Sequence, residues 1–420
     1  MNVHPTSSTY TDPKDLLAEQ TRVFDVCASC RRCFNLCPSF PTLFDYIDEE
    51  ADFEAKGLTK EHIHTVTDLC FSCQLCWNHC PYTPPHEWEI DFPGLMTRAK
   101  VVQKTRRGWK SRLLANIELI GKVGSLSRSL TNWANTNPIT RRILQMFVGI
   151  DRRAILPVIT KETFTNWFSK RPTLEDTSKK VSLFYTCVGN YFASEIAKDT
   201  VKVLNHNDIG VEVPDQVCCG MPYLDLGDLD TVKRKATKNI KSLLKDAQKG
   251  NPIIVPNPSC SLMIKQEYPK LFNDEDSRVV SANTYDICEF LTSLRKNKEL
   301  KTDFSGNING KSITYHIPCH LRSQNIGFPA KELLELIPET TVNSIEQCSG
   351  HNGNWGVLKA YFEKSMNVGK KLFREIDDSQ SDIVVSDCSL AGDHIKTATK
   401  RSTVHPVTVL CDAYNLDKES

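Results

Sequence analysis

The spacing of apolar and polar positions changes along the chain. A first helix is expected from Pro13, a residue suited to a first helical turn, with Thr11 or Asp12 as its N-cap. Thirty-two residues separate Cys37 from Cys70, and their DYIDEEADFEAKGLTKEHIHTVTD stretch is polar and helical in pattern. Leu113, Leu114, Ile117, Leu119 and Ile120, then Ile143, Leu144, Met146, Phe147 and Val148, recur at helical spacing. Around residue 181 the texture turns to short apolar runs alternating with amphipathic stretches, an α/β pattern. No run of about 18 apolar residues occurs, so no membrane-spanning helix is expected.

The α/β part reads as a duplication. VSLFYTC ends at Cys187, DQVCCG carries Cys218, Cys219 and Gly220, and IIVPNPSCSLMI surrounds Cys260. SITYHIPC then ends at Cys319, EQCSG carries Cys348, Ser349 and Gly350, and DIVVSDCSLAG surrounds Cys388. The first step is 31 residues in one copy and 29 in the other; the second is 42 and 40. Such agreement marks an internal repeat with each cysteine at the end of a predicted strand, where α/β folds gather ligands. Cys187, Cys218, Cys219 and Cys260 form a candidate third metal site, and Cys319, Cys348 and Cys388 a candidate fourth. His320, His351 and His394 adjoin the second set and offer nitrogen ligands, or are ordinary hydrogen-bonding residues. Gly350, Gly353 and Gly356 allow close backbone approach to a bound group, or shape a turn. Cys288 and Cys411 sit in apolar surroundings and read as buried structural cysteines.

Charge adds a third region. The chain carries +1 overall, which gives no global signal for nucleic acid or an acidic partner. From Arg98 to Arg171, however, sixteen Lys and Arg face only Glu118, Asp151 and Glu162, a local charge of +13. A basic amphipathic region of this kind lies on an anionic membrane surface, docks an acidic partner, or packs on the protein's own acidic faces. No stacked aromatic motif recommends nucleic acid. The expected domains are 1–97, helical with two clusters; 98–178, a basic helical connector; and 179–300 and 301–420, the two α/β repeats. The polar start MNVHPTSSTYTDPKDLL lacks the apolar core of a secretory signal, so a cytoplasmic protein, peripheral to the membrane at most, is expected.

Seventeen cysteines without a secretion signal point to metal or redox chemistry rather than to disulfides. Cys27, Cys30, Cys33 and Cys37 precede Pro38, and Cys70, Cys73, Cys76 and Cys80 precede Pro81, giving C-x2-C-x2-C-x3-C-P twice. Three thiolates at this spacing curl round one face of a [4Fe–4S] cube, and the fourth reaches the other cluster. Cluster I then uses Cys27, Cys30, Cys33 and Cys80; cluster II uses Cys70, Cys73, Cys76 and Cys37. A pair of zinc sites is the competing reading, but zinc fingers do not explain the third cysteine and the C-P. The long spacer favours a helical ferredoxin-like module. Arg31 and Arg32 lie in the first loop, where positive charge favours a reduced cluster unless both are simply solvated.

Two such runs followed by paired cysteine repeats resemble the family of iron–sulfur subunits of anaerobic glycerol-3-phosphate dehydrogenase. The likeness is more distant to heterodisulfide reductase iron–sulfur subunits and lactate-utilisation iron–sulfur proteins. It spans about residues 24–395 and is carried by HIPCHLRSQNIG (His316–Gly327), EQCSGHNGNWG (Glu346–Gly356) and SDCSLAGDHI (Ser386–Ile395). The resemblance implies electron transfer from a flavoprotein dehydrogenase towards quinone at the membrane. The chain departs from the heterodisulfide reductase pattern: only Cys218–Cys219 is doubled, and neither Cys260 nor Cys388 has a cysteine three residues away. That leaves noncubane clusters and disulfide reduction in doubt.

Three functions follow. The first is an electron-transfer subunit, since no GxGxxG motif is present and hydride chemistry belongs to a separate flavoprotein. The second is a thiol–disulfide reductase working at the Cys187, Cys218, Cys219 and Cys260 site. The third is a zinc-stapled interaction protein.

Overall fold

The first helix starts where the sequence provides a cap. Asp12 accepts the backbone N–H groups of Lys14 and Asp15 at 2.7 and 3.2 Å, Pro13 opens the turn, and α1 runs Pro13–Cys30. Arg31, in the left-handed region at φ 53°, ends it. The computed structural model describes residues 4–104, 108–171, 177 and 179–416. Residues 105–107, 172–176 and 178 of the basic connector, Arg106 and Arg107 among them, lie outside the described residues. The chain divides into two compact units.

The first unit holds the residues up to Ala115, with Gly220–Arg234 and Lys270–Phe272. It is built on α1, α2 (Ser39–Glu49), α3 (Lys60–Asp68), α4 (Leu75–His79), α5 (Phe92–Gln103) and α6 (Trp109–Ala115). Thr59 and His62 close a capping box on α3, so the spacer between the cysteine runs is largely helical. Phe24, Phe40, Phe44 and Phe92 are buried, with Phe40 and Phe92 stacked at 4.5 Å between ring centroids. Stacked and tilted aromatic pairs of this kind add about 0.5–1.5 kcal/mol each beyond their buried area. Arg98 and Lys100, part of the basic run, are internal side chains of α5. Arg98 donates to the carbonyls of Thr9 and Tyr10 and pairs with Asp15 at 2.6 Å.

The second unit holds Asn116–Cys219, Lys235–Pro269 and Asn273 onwards. Three helices open it: α7 (Ile117–Leu126), α8 (Arg128–Thr136) and α9 (Pro138–Phe147). Gly121 of α7 lies so close to the Tyr191 ring that a Cβ there would sit 2.5 Å from it, so α7 packs tightly on the first repeat. By contrast α8 buries none of its residues, and Leu126, Leu130, Trp133, Ile139, Met146 and Phe147 are exposed, Leu126 by 86%. These helices therefore do not simply cover acidic faces of the protein.

Two parallel sheets follow. β1 (Lys179–Leu183), β2 (Ile209–Glu212), β3 (Ile253–Val255) and β4 (Thr284–Asp286) stand in the order β2-β1-β3-β4. β5 (Ser312–His316), β6 (Thr341–Ile345), β7 (Ile383–Ser386) and β8 (Thr403–Val404) stand in the order β6-β5-β7-β8. The duplication in the sequence is thus the same strand permutation built twice. Parallel strands covered on both faces read as continuous apolar runs, as in IIV of β3 and IVV of β7. Leu183, Ile254 and Leu291 of the first repeat share one core with Ile313, Val385 and Leu410 of the second. Among the described residues no helix is long and apolar enough to cross a membrane.

Candidate metal centres

In the first unit, Cys27 and Cys30 lie one turn apart on α1, and Cys80 caps the end of α4. One cavity is lined by Cys27, Cys30, Cys33 and Cys80, walled by Phe40 and Phe44. Burial first, then the neighbouring Cys33, Cys80 and Cys30, pushes the Cys27 thiol well up. Cys33 is pushed up to about 12 by burial and then by Cys80 and Cys30, against the pull of Arg32. Cys37 is raised by burial and then by Cys70 and Cys73, and Cys76 by burial and then by Cys73, Cys70 and Cys37. The structure therefore groups Cys80 with the first triplet and Cys37 with the second. Four thiolates in an apolar pocket cannot coexist without positive charge between them. An all-sulfur donor set of this kind fits an iron–sulfur centre or zinc.

The two arginines of the first loop differ. Arg31 is bonded through both terminal nitrogens to the Asp48 carboxylate and lies over the Phe44 ring at 5.3 Å. Arg32 lines the thiol cavity, and its charge partly opposes the rise that burial imposes on the thiols of Cys33 and Cys80. Lys100, only 2% exposed, donates to the Cys70 carbonyl at 3.2 Å and to Ser72 Oγ at 2.5 Å. It thus fixes the second cysteine loop from α5. In the sequence it stands out only as part of a basic run.

In the first repeat, Cys187 opens the helix Cys187–Tyr191 after β1, Cys218 and Cys219 follow β2, and Cys260 lies in the helix Pro258–Leu262 after β3. With strand order β2-β1-β3, all stand at one edge of the sheet. A side-chain hydrogen bond to Cys218, then burial, raises the Cys187 thiol, and Cys219 is raised by bonds to Cys218 and Cys260 and then by burial. Thr186, a β-branched residue at φ 66°, carries backbone strain immediately before Cys187. The Cys218–Cys219 loop is held on three sides. Tyr268 donates its hydroxyl to the Cys219 carbonyl at 2.9 Å, and Asn239 bonds Val217 and Tyr268. Glu118 of α7 accepts the Cys218 backbone N–H. No local motif marks Glu118 as a site residue; its isolation as an acid in a basic segment is the one visible signal.

In the second repeat Cys319, Cys348 and Cys388 follow β5, β6 and β7, again adjacent strands. Burial raises the Cys348 thiol against the Gly350 N–H and Arg322, and burial holds Cys388 at about 11. Unlike the thiols of the first repeat, these two are raised by burial and not by a neighbouring cysteine. His320 Nδ1 shares a hydrogen bond with Ser259 Oγ at 2.8 Å, and His394 Nε2 with Ser365 Oγ at 2.9 Å. His351 is buried and its imidazole pushed down to about 3 by burial and then by His394. Gly350, at φ 71°, backs onto the Ser365 carbonyl, which would lie 2.1 Å from any Cβ; its need for glycine is a packing need.

The "Citrate utilization protein B Fer4-like domain" model matches residues 20–106, and the CCG "Cysteine-rich domain" model matches 181–265 and 313–394. A subunit of anaerobic glycerol-3-phosphate dehydrogenase from Escherichia coli (strain K12) is 29% identical over 332 residues, covering 77% of this chain and 82% of that protein. Lactate utilization protein A from Shouchella clausii (strain KSM-K16) is 30% identical over 219 residues, 50% of this chain and 87% of that protein. A subunit of fumarate reductase (CoM/CoB) from Methanothermobacter marburgensis is 28% identical over 241 residues, 56% and 45% respectively. Fold and thiol sites together define a class: a Fer4-like helical module followed by a duplicated cysteine-rich domain. The chain belongs to the CCG-domain iron–sulfur protein family that includes this anaerobic glycerol-3-phosphate dehydrogenase subunit.

Proposed function

We propose that this chain is an electron-transfer subunit holding two [4Fe–4S] clusters, one on Cys27, Cys30, Cys33 and Cys80 and one on Cys70, Cys73, Cys76 and Cys37. The observation that carries the reading is the exchange of fourth thiols, Cys80 to the first triplet and Cys37 to the second. Such clusters supply one-electron transfer with little reorganisation. The chain's own residues exclude water through Phe40 and Phe44 and bias the first site with the Arg32 charge. Electrons enter from a flavoprotein dehydrogenase and leave towards quinone or another acceptor, as the relatedness to a dehydrogenase subunit supports. The division into 1–97, 98–178, 179–300 and 301–420 is part of this proposal and rests on the cysteine runs, the basic segment and the repeat in the sequence.

The first repeat, with Cys187, Cys218, Cys219 and Cys260, is the stronger candidate for a further cluster. Its free thiols are near enough to one another to hydrogen-bond in succession, and a π-helical turn, Met263–Glu267, lies just beyond Cys260, a feature frequent at functional sites. The exposed apolar residues of α7, α8 and α9, with Lys122, Arg128 and Arg142 beside them, form the surface that meets an anionic bilayer. Anaerobic purification with iron and sulfide quantified, a flavoprotein donor and a quinone acceptor tests the reading. Clusters that are neither reduced by any donor nor reoxidised by quinone contradict it.

A further inference from the structure

A buried polar cluster joins the two repeats and has no part in the electron path above. Asp286 is the last residue of β4, and Cys288 lies two residues on, in the helix Ile287–Lys296. Asp387 follows β7 directly, in the other repeat. One carboxylate oxygen from each aspartate and Cys288 Sγ lie within 4.8 Å of one another, and no residue of the three is more than 1% exposed. It is the one such group among the described residues. Cys288 is buried in the core that the two repeats share, as the sequence leads one to expect, and it also lies beside two carboxyl groups.

Each carboxyl is anchored by one oxygen. Asp286 Oδ1 accepts the Cys288 backbone N–H at 2.9 Å, and Asp387 Oδ2 accepts the Tyr315 hydroxyl at 2.7 Å. The other oxygens, Asp286 Oδ2 and Asp387 Oδ1, are buried without a hydrogen-bond partner. Burial, then the facing Asp387, holds the Asp286 carboxyl far above the carboxylate range. Lys265, the basic side chain that acts on Asp286, is bonded to both oxygens of Glu289 at 2.7 and 2.9 Å. Two carboxylate oxygens without hydrogen bonds and a thiol thus face one another in the interior, a donor set suited to a cation.

We propose that Asp286, Cys288 and Asp387 bind one divalent transition-metal ion, zinc by its chemistry, as a structural tie between the two repeats. A thiolate beside two carboxylates disfavours magnesium and calcium, which take oxygen alone, and suits zinc. Zinc bonds of about 2.0–2.3 Å set tetrahedral ligands about 3.3–3.8 Å apart, so three groups within 4.8 Å of one another need close by no more than about 1.5 Å on binding. The Tyr315 hydroxyl and the Cys288 N–H then orient the ligating carboxylates from behind. Binding displaces to solvent both the Cys288 proton and the proton that the facing carboxyl pair holds, and leaves both aspartates ionised. Because Asp387 adjoins Cys388, the ion also fixes the backbone that carries that cysteine.

Metal analysis of the anaerobically purified full chain, dialysed against metal-free buffer, tests this. About one zinc per chain is expected beside the iron, and Asp286→Asn and Cys288→Ala each reduce it at least about tenfold with iron unchanged. Zinc K-edge absorption of the wild type should show one sulfur among oxygen scatterers, a readout that does not depend on the variants folding. Zinc below about a tenth of an equivalent, zinc retained in both variants, or a shell of sulfur alone overturns the proposal. Iron is counted separately, so loss of this site leaves the electron-transfer reading standing, and the reverse also holds.

Discussion

Glu118 Oε2 accepts the backbone N–H of Cys218 at 3.2 Å, across a hundred residues of chain, and the same oxygen pairs with Lys235 Nζ at 3.0 Å. A helix of the basic connector is thereby part of the first repeat's thiol site. Glu118→Ala should lower stability by about 1–3 kcal/mol, because a charge-assisted bond is lost and the Cys218 N–H is stranded. Glu118→Gln keeps an acceptor oxygen and should lose about half as much. Anaerobic urea denaturation measures both; equal losses in the two variants would refute the role given to the Cys218 contact.

Arg32, and not Arg31, should tune the first cluster. The Arg31 charge is already neutralised by Asp48, whereas Arg32 faces the thiols. Arg32→Gln should make that cluster harder to reduce by on the order of 60 mV, equivalent to about 1.4 kcal/mol for one electron. Arg31→Gln should leave the potential unchanged. Redox-titrated EPR distinguishes the two, and a larger shift for Arg31→Gln would reverse the assignment.

Much of this was legible in the residues, for physical reasons that can be named. The duplication showed because fully covered parallel strands such as β3 and β7 are uninterrupted apolar runs, each followed by a cysteine. The first helix showed in Asp12 and Pro13. Contacts between distant segments did not show. Lys100 reaching the Cys70 carbonyl depends on how α5 folds back, and no local pattern encodes that. The pairing of Asp286 with Asp387 was equally hidden, since a single aspartate after a strand reads as a helix cap, which Asp286 also is.

Membrane docking should depend on both the apolar and the basic residues of α7–α9. Leu130 and Met146 are exposed, and Arg128 and Arg142 flank them. Leu130→Glu with Met146→Glu should weaken sedimentation with anionic vesicles more than about tenfold. Arg128→Gln with Arg142→Gln should cost about 1 kcal/mol per charge, and less in high salt. Unchanged binding in both variants would remove this face from the account.

The buried His405 makes stability depend on pH. Its Nδ1 accepts the Val407 N–H at 3.1 Å as a helix cap, while burial pushes the imidazole down from 6.5 to about 3. A depressed folded pKa means the unfolded chain binds the proton first. The stabilisation is therefore complete above about pH 6.5 and is lost as pH falls towards 3. From pH 6 to pH 5 the wild type should lose about 1 kcal/mol more than His405→Asn, which keeps the cap without the titration. Parallel pH profiles of the two proteins in denaturant would contradict this.

The most direct test of the central claim is EPR of dithionite-reduced, anaerobically purified protein, with iron and acid-labile sulfide counted, in wild type, Cys80→Ser and Cys37→Ser. The account predicts about eight irons and eight sulfides from the first hundred residues, with magnetic interaction between two reduced cubanes. Cys80→Ser should alter the signal of the cluster that Cys27, Cys30 and Cys33 hold, and Cys37→Ser that of the other. Zinc in place of iron with no reduced-state signal, or Cys80→Ser disturbing only the cluster of Cys70, Cys73 and Cys76, would contradict it.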